Sequence, residues 1–324
     1  MNSPTTISIP GFGALLAALA LSMTVTAQEP PLTARSVFHL EGELSKEPAS
    51  MTRYVTQEPR FRTADAVAEL AKAFDLEGKV EERERKFLVK NDLRVLELFR
   101  DKGTGYIRYS DNAELGAEKA ASALPEPDEA VAKSGELLKA NGLLPENAVL
   151  LGTRYAEFEL TGNKGEAMAA GNSSIAAIYG FELDGRPVLG PGAKAGVVFG
   201  NDAKVIGASL IWRPVEPEGE MEIISPAEAF ERFKQSWPPE KVEDATIVTD
   251  VYLEEIDTAF YAAPGMYEQE MLEPVYAFSG HAELKGKSGE SEIREKEQFR
   301  ILIPATQDAD RQPVTTTGPV RPFK

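Results

Sequence analysis

The chain has 324 residues, of which 42% are hydrophobic and 27% charged, and its formal net charge is −17 at pH 7. This composition is typical of a globular protein and excludes collagen-like and disordered chains. The negative charge argues against nucleic acid and anionic lipid as partners, and the lack of cysteine excludes disulfides, thiolate-bound zinc and a thiol nucleophile.

The amino terminus has the features of a secretory signal peptide. Residues 1–27 contain no charged side chain, and the apolar run at 11–21 has the length of a signal-peptide core. Small residues at 25–27 predict cleavage before Gln28, which places the mature chain outside the cytoplasm, periplasmic or secreted. The segment lacks the usual Lys or Arg at its start, so retention as an uncleaved anchor is the alternative. No later segment is apolar over the roughly 20 residues that a membrane-spanning helix needs.

Helix signals occur at three places along the chain. In 63–74, Thr63 is a capping residue, and apolar side chains recur on one face at helical spacing. In 127–142, Pro127 suits the first helical position, acidic residues follow it, and Gly142 is a stop signal.

The third helix signal, at 224–237, is the clearest. Ser225 can cap this helix, Pro226 suits its first position, and Glu228 can reach back to complete a capping box. The side chains predicted to face the core are Phe230, Phe233 and Trp237.

Alternating apolar and polar residues predict strands between and after these helices. The strands are expected at 93–100, 105–109, 149–160, 174–183, 246–255 and 299–304. The first two are predicted to form a hairpin, and the next two to pair with each other. Because the strands of parallel sheets read as continuous apolar runs, this alternation favours antiparallel sheets with one solvated face.

The order of helix and then about three strands predicts an α+β fold of tandem units, each a helix packed on an antiparallel sheet of about three or more strands. We expect an N-terminal unit at 36–119, a middle unit at 127–215 and a C-terminal unit at 222–304. The tail at 305–324 has no apolar period and is predicted to be disordered.

The segment 185–214 contains "GPGAK", which has the ingredients of a phosphate-binding loop. Such a loop needs a glycine followed directly by Lys and then Ser or Thr. Here Pro191 follows Gly190, and Lys194 is not followed by a hydroxyl residue. Strand-like sequence comes next where a helix is required. The segment is therefore predicted to be sheet, without a nucleotide site.

The carboxy-terminal half resembles a known family of extracytoplasmic domains. The segments that carry the resemblance are "GRPVLGPGAKAGVVFGNDAKVIGASLIW", "ISPAEAFERF", "VYLEE", "LEPVYAFSG" and "FRILIPA". They resemble peptidase-propeptide (PepSY) domains, and more closely the PepSY-like double domains of Yyc-type extracytoplasmic regulators of sensor kinases. The resemblance covers roughly 176–304, whereas 36–160 shares only the order of helix and strands.

The resemblance implies a non-catalytic module that binds or inhibits a protein partner outside the cytoplasm. It supplies no catalytic residues. The chain differs from the Yyc-type regulators because it lacks a convincing membrane helix.

Candidate catalytic residues are few. The chain has two histidines, His39 and His281, which lie far apart and in no metal-ligand spacing, so we expect no metal site and no cofactor. Neither lies near a G-x-S-x-G motif. Glu254 and Glu255 are adjacent on a predicted strand and would point to opposite faces, so they are not expected to form a catalytic carboxylate pair.

The best candidate for a contact surface is 256–274, which is long for a loop. Tyr is enriched at interfaces and Met adapts to irregular surfaces. The residues proposed to contact a partner are Phe260, Tyr261, Met266, Tyr267 and Met271. The alternative is that they cover the sheet of their own domain. Trp212 and Trp237 are expected to anchor the core.

The sequence therefore predicts an exported, non-enzymatic α+β protein that binds a protein partner such as a peptidase, a sensor or an envelope component. Two alternatives stay open: a secreted, glycosidase-like hydrolase with an unlocated carboxylate pair, and a purely structural envelope protein. An enzyme would show a pocket with facing acids, and a binding module an exposed aromatic patch.

Overall fold

The computed structural model describes residues 35–41, 49–115, 121–161, 167–237, 245–288, 291–307 and 314–316. The predicted signal peptide and most of the predicted tail therefore lie outside the described residues. No helix within these ranges is both long and apolar enough to cross a membrane.

The described residues are mostly strand. The strands are β1 (Arg35–Leu40), β2 (Ser50–Thr56), β3 (Val80–Glu82), β4 (Lys86–Asn91), β5 (Arg94–Phe99), β6 (Tyr106–Asp111), β7 (Ala148–Thr161), β8 (Ala167–Leu183), β9 (Arg186–Leu189), β10 (Lys194–Phe199), β11 (Val205–Ile211), β12 (Val215–Glu222), β13 (Ala245–Tyr261), β14 (Glu273–Ser288), β15 (Ser291–Pro304) and β16 (Val314–Thr316). The helices are α1 (Ala64–Lys72), α2 (Asn112–Leu115), α3 (Pro127–Ala140) and α4 (Pro226–Ser236), with a short 3₁₀ turn at Asn201–Ala203.

The predicted fold class, tandem α+β units each with a helix on its own antiparallel sheet, is wrong. Fourteen of the described strands belong to one mixed sheet, whose main path runs β16-β15-β14-β13-β9-β8-β10-β11-β6-β5-β4-β3. In the same sheet β1 pairs with β13 and β7 with β8, whereas β2 and β12 form a separate two-stranded sheet. Buried side chains of α1, α3 and α4 belong to one continuous core.

Pairings between distant parts of the chain account for this difference. β1 runs parallel to β13, with His39 opposite Tyr252. β9 also runs parallel to β13, with Val188 opposite Phe260, and β6 pairs with β11. Alternation of side chains along a strand is a local property, so it indicates that a strand forms without indicating its partner.

The local predictions agree better with the structure. β5 and β6 form the predicted antiparallel hairpin, and β7 and β8 pair as predicted. Thr63 caps α1 by accepting a hydrogen bond from the Ala66 amide at 3.3 Å. Ser225 caps α4 through the Glu228 amide at 3.2 Å. The Glu228 carboxylate does not complete a capping box, because it accepts from Arg232 at 2.8 Å.

The predicted apolar face of α4 packs on the sheet. Phe233 is fully buried, and its ring lies 4.8 Å from that of Phe278 on β14 and 5.8 Å from that of Phe38 on β1. Trp237 contacts Phe299 on β15, with ring centroids 4.9 Å apart. This aromatic cluster joins the first strand to the last third of the chain.

Phe233→Ala removes the central ring of this cluster. We expect the free energy of unfolding to fall by about 3–5 kcal/mol, because the substitution leaves a cavity in a packed core. Urea denaturation monitored by circular dichroism measures the change. Leu93→Ala, at a position that is 56% exposed, is the control and should change stability by less than about 0.5 kcal/mol. Equal losses in the two variants would contradict the prediction.

Candidate functional site

The predicted contact residues differ in their exposure to solvent, from fully buried to well exposed. Phe260 is fully buried and packs edge-to-face on Tyr54 at 5.3 Å. Met266 and Tyr267 are 40% and 59% exposed. Tyr261 and Met271 are half-buried.

The loop itself is shorter than the sequence indicates. Residues up to Tyr261 continue β13 and residues from Glu273 belong to β14, so 262–272 is the connection, and we call it the contact loop. Met271 forms an isolated bridge with Val55 of β2.

Arg213 holds the contact loop in place. This side chain follows β11 and is 1% exposed. Its guanidinium donates to the carbonyl oxygens of Ala263, Pro264 and Tyr267, each at 2.7 Å. It also donates to the Gly103 carbonyl at 2.6 Å, so one buried side chain joins the contact loop to the β5–β6 connection.

Carbonyl dipoles take the place of water around this charge. Burial lowers the pKa of Arg213 to about 10, which leaves the guanidinium protonated at neutral pH. In the described part of the chain its hydrogen bonds all go to main-chain oxygens. A buried cation with its donors satisfied in this way fixes the backbone around it.

Two glycines of the "GPGAK" segment allow the close approach of the contact loop. A Cβ on Gly192 would lie 1.9 Å from the Ala263 oxygen, and one on Gly190 would lie 2.5 Å from the Ala262 oxygen. Gly190 also has φ near +99°, a conformation that favours glycine. These glycines therefore serve packing between β9, β10 and the contact loop. The structure has strands at the predicted places, and the element directly after the glycines is strand β10.

The side chain of Gln269 closes the contact loop from within. It accepts from the Ala263 amide at 2.9 Å and donates to the Tyr261 carbonyl at 3.1 Å. Thr56 of β2 donates to the Gln269 carbonyl at 2.5 Å. The backbone of the loop is thus held at several points, while the side chains of Met266 and Tyr267 project outward.

Two clefts of about 640 Å³ and 450 Å³ lie beside the contact loop, and residues 268–271 and Arg53 line both of them. Their linings contain more acidic than basic side chains. The acidic side chains are Glu218, Glu220, Glu268, Glu270 and Glu273, and the basic ones are Arg53 and Lys102. The clefts beside residues 268–271 of the contact loop therefore carry a net negative charge.

The two histidines, which the sequence leaves far apart, are brought together by the β1–β13–β14 pairing. They stack on opposite sides of Tyr252, with His39 at 4.6 Å and His281 at 4.8 Å between ring centroids. His39 Nε2 lies 3.0 Å from Asp250, and His281 Nδ1 lies 2.6 Å from Glu254. Within the described ranges, no three His, Asp or Glu side chains are placed to hold a metal ion.

The remaining residues that the sequence singled out, on β13 and at the two tryptophans, make contacts within the fold. β13 is irregular between Leu253 and Glu255 in its pairing with β14, and Glu254 contacts His281. Trp212 is buried and stacks on Phe181 at 4.3 Å, and Trp237 packs on the core from a half-buried position. Both agree with the predicted anchoring role.

No protein-family model and no curated protein matches the chain. Among solved structures, a similar chain is an uncharacterized protein from Eubacterium rectale ATCC 33656. It is 11% identical, its TM-score is 0.44, and the match covers 80% of this chain and 85% of that chain. A likeness at this level carries no argument about function.

Arg213→Met keeps the bulk of the side chain and removes its donors. We expect the free energy of unfolding to fall by about 3 kcal/mol or more, because four carbonyls that converge on one buried position each lose a charge-assisted hydrogen bond. Limited proteolysis should also cut the contact loop faster. Arg108→Met, at an exposed position of β6, is the control, with an expected change below about 0.5 kcal/mol. A variant as stable as this control would contradict the role of Arg213.

Asp250 gives a pH-dependent prediction. Hydrogen bonds from His39 and Lys285 lower the pKa of this carboxyl below its ordinary value of 3.8. A lowered carboxyl pKa stabilises the folded state above pH 3.8, and this stabilisation is lost as the pH falls through the folded pKa. Asp250→Asn should therefore cost about 1 kcal/mol at neutral pH, a value kept small by partial exposure.

Thermal melts of wild type and Asp250→Asn across the pH range test this prediction. The difference between them should shrink as the pH falls below 3.8. Glu157→Gln on β7, an exposed position, should match wild type throughout. A difference that stays constant down to about pH 2 would rule out titration of Asp250 as the cause.

Proposed function

We propose that this protein is a non-catalytic binding module that holds a basic segment of a partner protein against the contact loop. The observation that carries the proposal is the display of Met266 and Tyr267 on a backbone fixed from below by Arg213. A surface that is ordered before binding loses little conformational entropy when it meets a partner.

The two exposed side chains have the chemistry of an interface anchor. Tyr267 offers a large ring with two rotatable angles, and Met266 adapts its shape to the surface that it meets. Large exposed apolar side chains beside each other on an ordered loop favour contact with another molecule. Phe260 supports the loop from the core and takes no part in the contact.

We expect the negative charge of the two clefts beside the contact loop to determine which kind of partner binds. Five glutamates and two basic side chains line the two clefts. Glu218 pairs with Arg53 at 3.5 Å, and Glu268 pairs with Arg85 at 3.1 Å, but both pairs are well exposed and are weakened by solvent. A segment with Lys or Arg on either side of an apolar residue complements this surface.

The extracytoplasmic setting is part of the proposal. The uncharged, apolar start of the chain supports export. The resemblance to PepSY domains implied a binding or inhibitory role, but the helix-on-sheet units that it implied are not the fold observed. The proposal therefore depends on the contact loop and its charge.

A site-specific crosslinking experiment tests the proposal. A photo-reactive amino acid replaces Met266 in the chain from Gln28 onward, which is then exposed to the extracytoplasmic fraction of the source cells. We expect a crosslinked protein whose modified segment is rich in Lys and Arg. The same amino acid at Leu93, which is exposed on the β4–β5 turn, is the matched control. Identical products at the two positions, or no product at 266, would contradict the proposal.

Substitutions then distinguish the contribution of the two exposed apolar side chains to binding from that of the acidic side chains. Met266→Ala with Tyr267→Ala should weaken binding of the captured protein by about 100-fold, as for interface anchors, with no change in the melting temperature. Glu268→Gln with Glu270→Gln should weaken it by about tenfold at low salt and less at high salt. Leu150→Ala, exposed on β7, should leave affinity unchanged.

The second candidate function is a hydrolase with a carboxylate pair. The observation in its favour is the 640 Å³ cleft, which has four glutamates in its lining. Turnover of a glycoside panel by wild type, abolished by Glu268→Gln or Glu270→Gln, would establish it and would overturn the non-catalytic proposal.

A further inference from the structure

A third cavity, of about 560 Å³, shares no lining residue with the two clefts beside the contact loop. Its size falls within the range of about 300–1,000 Å³ that is typical of small-molecule sites. Its walls are mostly apolar and aromatic. The side chains that form them include Phe61, Leu98, Phe99, Tyr106, Leu144 and Trp212.

The walls are held in place by contacts behind them. Trp212 stacks on Phe181, with ring centroids 4.3 Å apart. Phe99 and Tyr106, which face each other across the β5–β6 hairpin, meet edge-to-face at 5.5 Å. Many of the lining side chains, Phe61 and Leu144 among them, are nevertheless only half-buried. The cavity is therefore formed in advance and leaves apolar surface open to an occupant.

The rim of the cavity is ordered by Arg60. Its guanidinium donates to the Gly142 carbonyl at 2.6 Å and fills the place where a Cβ of residue 142 would stand. Gly142 has φ near +62°, so both its conformation and this contact favour glycine. The turn after α3 is thus joined to the segment before α1 at the edge of the cavity.

The polar groups of the lining indicate the chemistry of the occupant. The charged side chains are Arg60 and Glu146, which are exposed and of opposite sign, so the lining selects no net charge. Asn147 also lines the cavity, and its amide nitrogen is buried without an acceptor among the described residues. A buried donor of this kind is costly until an acceptor reaches it.

We propose that this cavity is a binding site for an uncharged, largely apolar small molecule that carries one carbonyl or hydroxyl oxygen. The aromatic walls hold the apolar body. The Asn147 side chain turns its amide toward the oxygen of the ligand and so gains the hydrogen bond that it lacks. The proposal does not rest on the protein-binding function, because the cavity shares no lining residue with the two clefts beside the contact loop.

The first measurement uses phenylnaphthylamine, a neutral apolar dye that fluoresces in apolar surroundings. We expect saturable binding to the wild-type chain, with displacement by decanol and weaker displacement by decanoate and by decylammonium. In a Trp237→Phe background the remaining indole is Trp212 in the cavity wall, so its fluorescence should change on the same titration. Absence of saturable binding, or an unchanged Trp212 signal, overturns the proposal.

Leu144→Trp tests whether the dye binds in this cavity, because the larger ring at this lining position would fill the cavity. Dye affinity should fall by about tenfold or more, as expected when a bulky ring occupies a preformed site. Leu150→Trp, exposed on β7 and outside the lining, should leave affinity unchanged. Ile107→Phe on β6 is a second filling variant, which serves if Leu144→Trp fails to fold by circular dichroism. Wild-type affinity in a folded filling variant overturns the assignment.

The role of Asn147 is tested with two ligands of nearly equal shape. Acetylnaphthalene has an acceptor, and ethylnaphthalene has none. Wild type should prefer the ketone by about five- to tenfold, the value of one hydrogen bond of ordinary strength. Asn147→Leu should remove the preference and leave the affinity for ethylnaphthalene unchanged. Equal affinities for both ligands in wild type, or a preference that survives in Asn147→Leu, would overturn the assigned ligand chemistry.

Discussion

The arrangement of this protein depends on one guanidinium that is buried among carbonyl oxygens. Arg213 contacts the β5–β6 connection on one side and the contact loop on the other, so segments more than 150 residues apart in the chain share one set of hydrogen bonds. An ion without a carboxylate partner in the described residues is stable there because carbonyl dipoles from separate segments converge on it. The geometry of those segments is therefore correlated, and displacement of any one would leave the charge partly unsolvated.

The proposed function depends on the side chains of the contact loop that stay exposed while Arg213 holds the backbone of the loop. The contact loop has an ordered backbone and exposed side chains, which is the arrangement of a preformed binding surface. The glycines at 190 and 192 contribute by removing side chains where two backbones meet. Negative charge gathered in the adjacent clefts adds selectivity for basic partners. The apolar cavity lies near the same region, since Gly105 in its lining is hydrogen-bonded to Gly265 of the loop at 2.9 Å.

Prediction from the sequence succeeded where the determinants are local. Caps at Thr63 and Ser225, and the buried face of α4, depend on neighbours in the chain. The large mixed sheet depends on partners that no window of residues contains, and for that reason separate helix-on-sheet units were predicted in its place. Arg213 was missed for the same reason. A charged residue between Trp212 and Pro214 at the end of an apolar strand was the available signal, but its carbonyl partners are supplied by loops.

The parallel pairing of β1 with β13 has a consequence for how the chain reaches this structure. β1 can pair with β13 only after residues 248–253 have been made. Until then, its apolar side and an open sheet edge remain uncovered, and about two hundred residues must be synthesised in the meantime. Closure of such a distant pair is slow. We therefore expect β1 to pair late in folding, and a truncation that removes β13 to leave β1 without this partner.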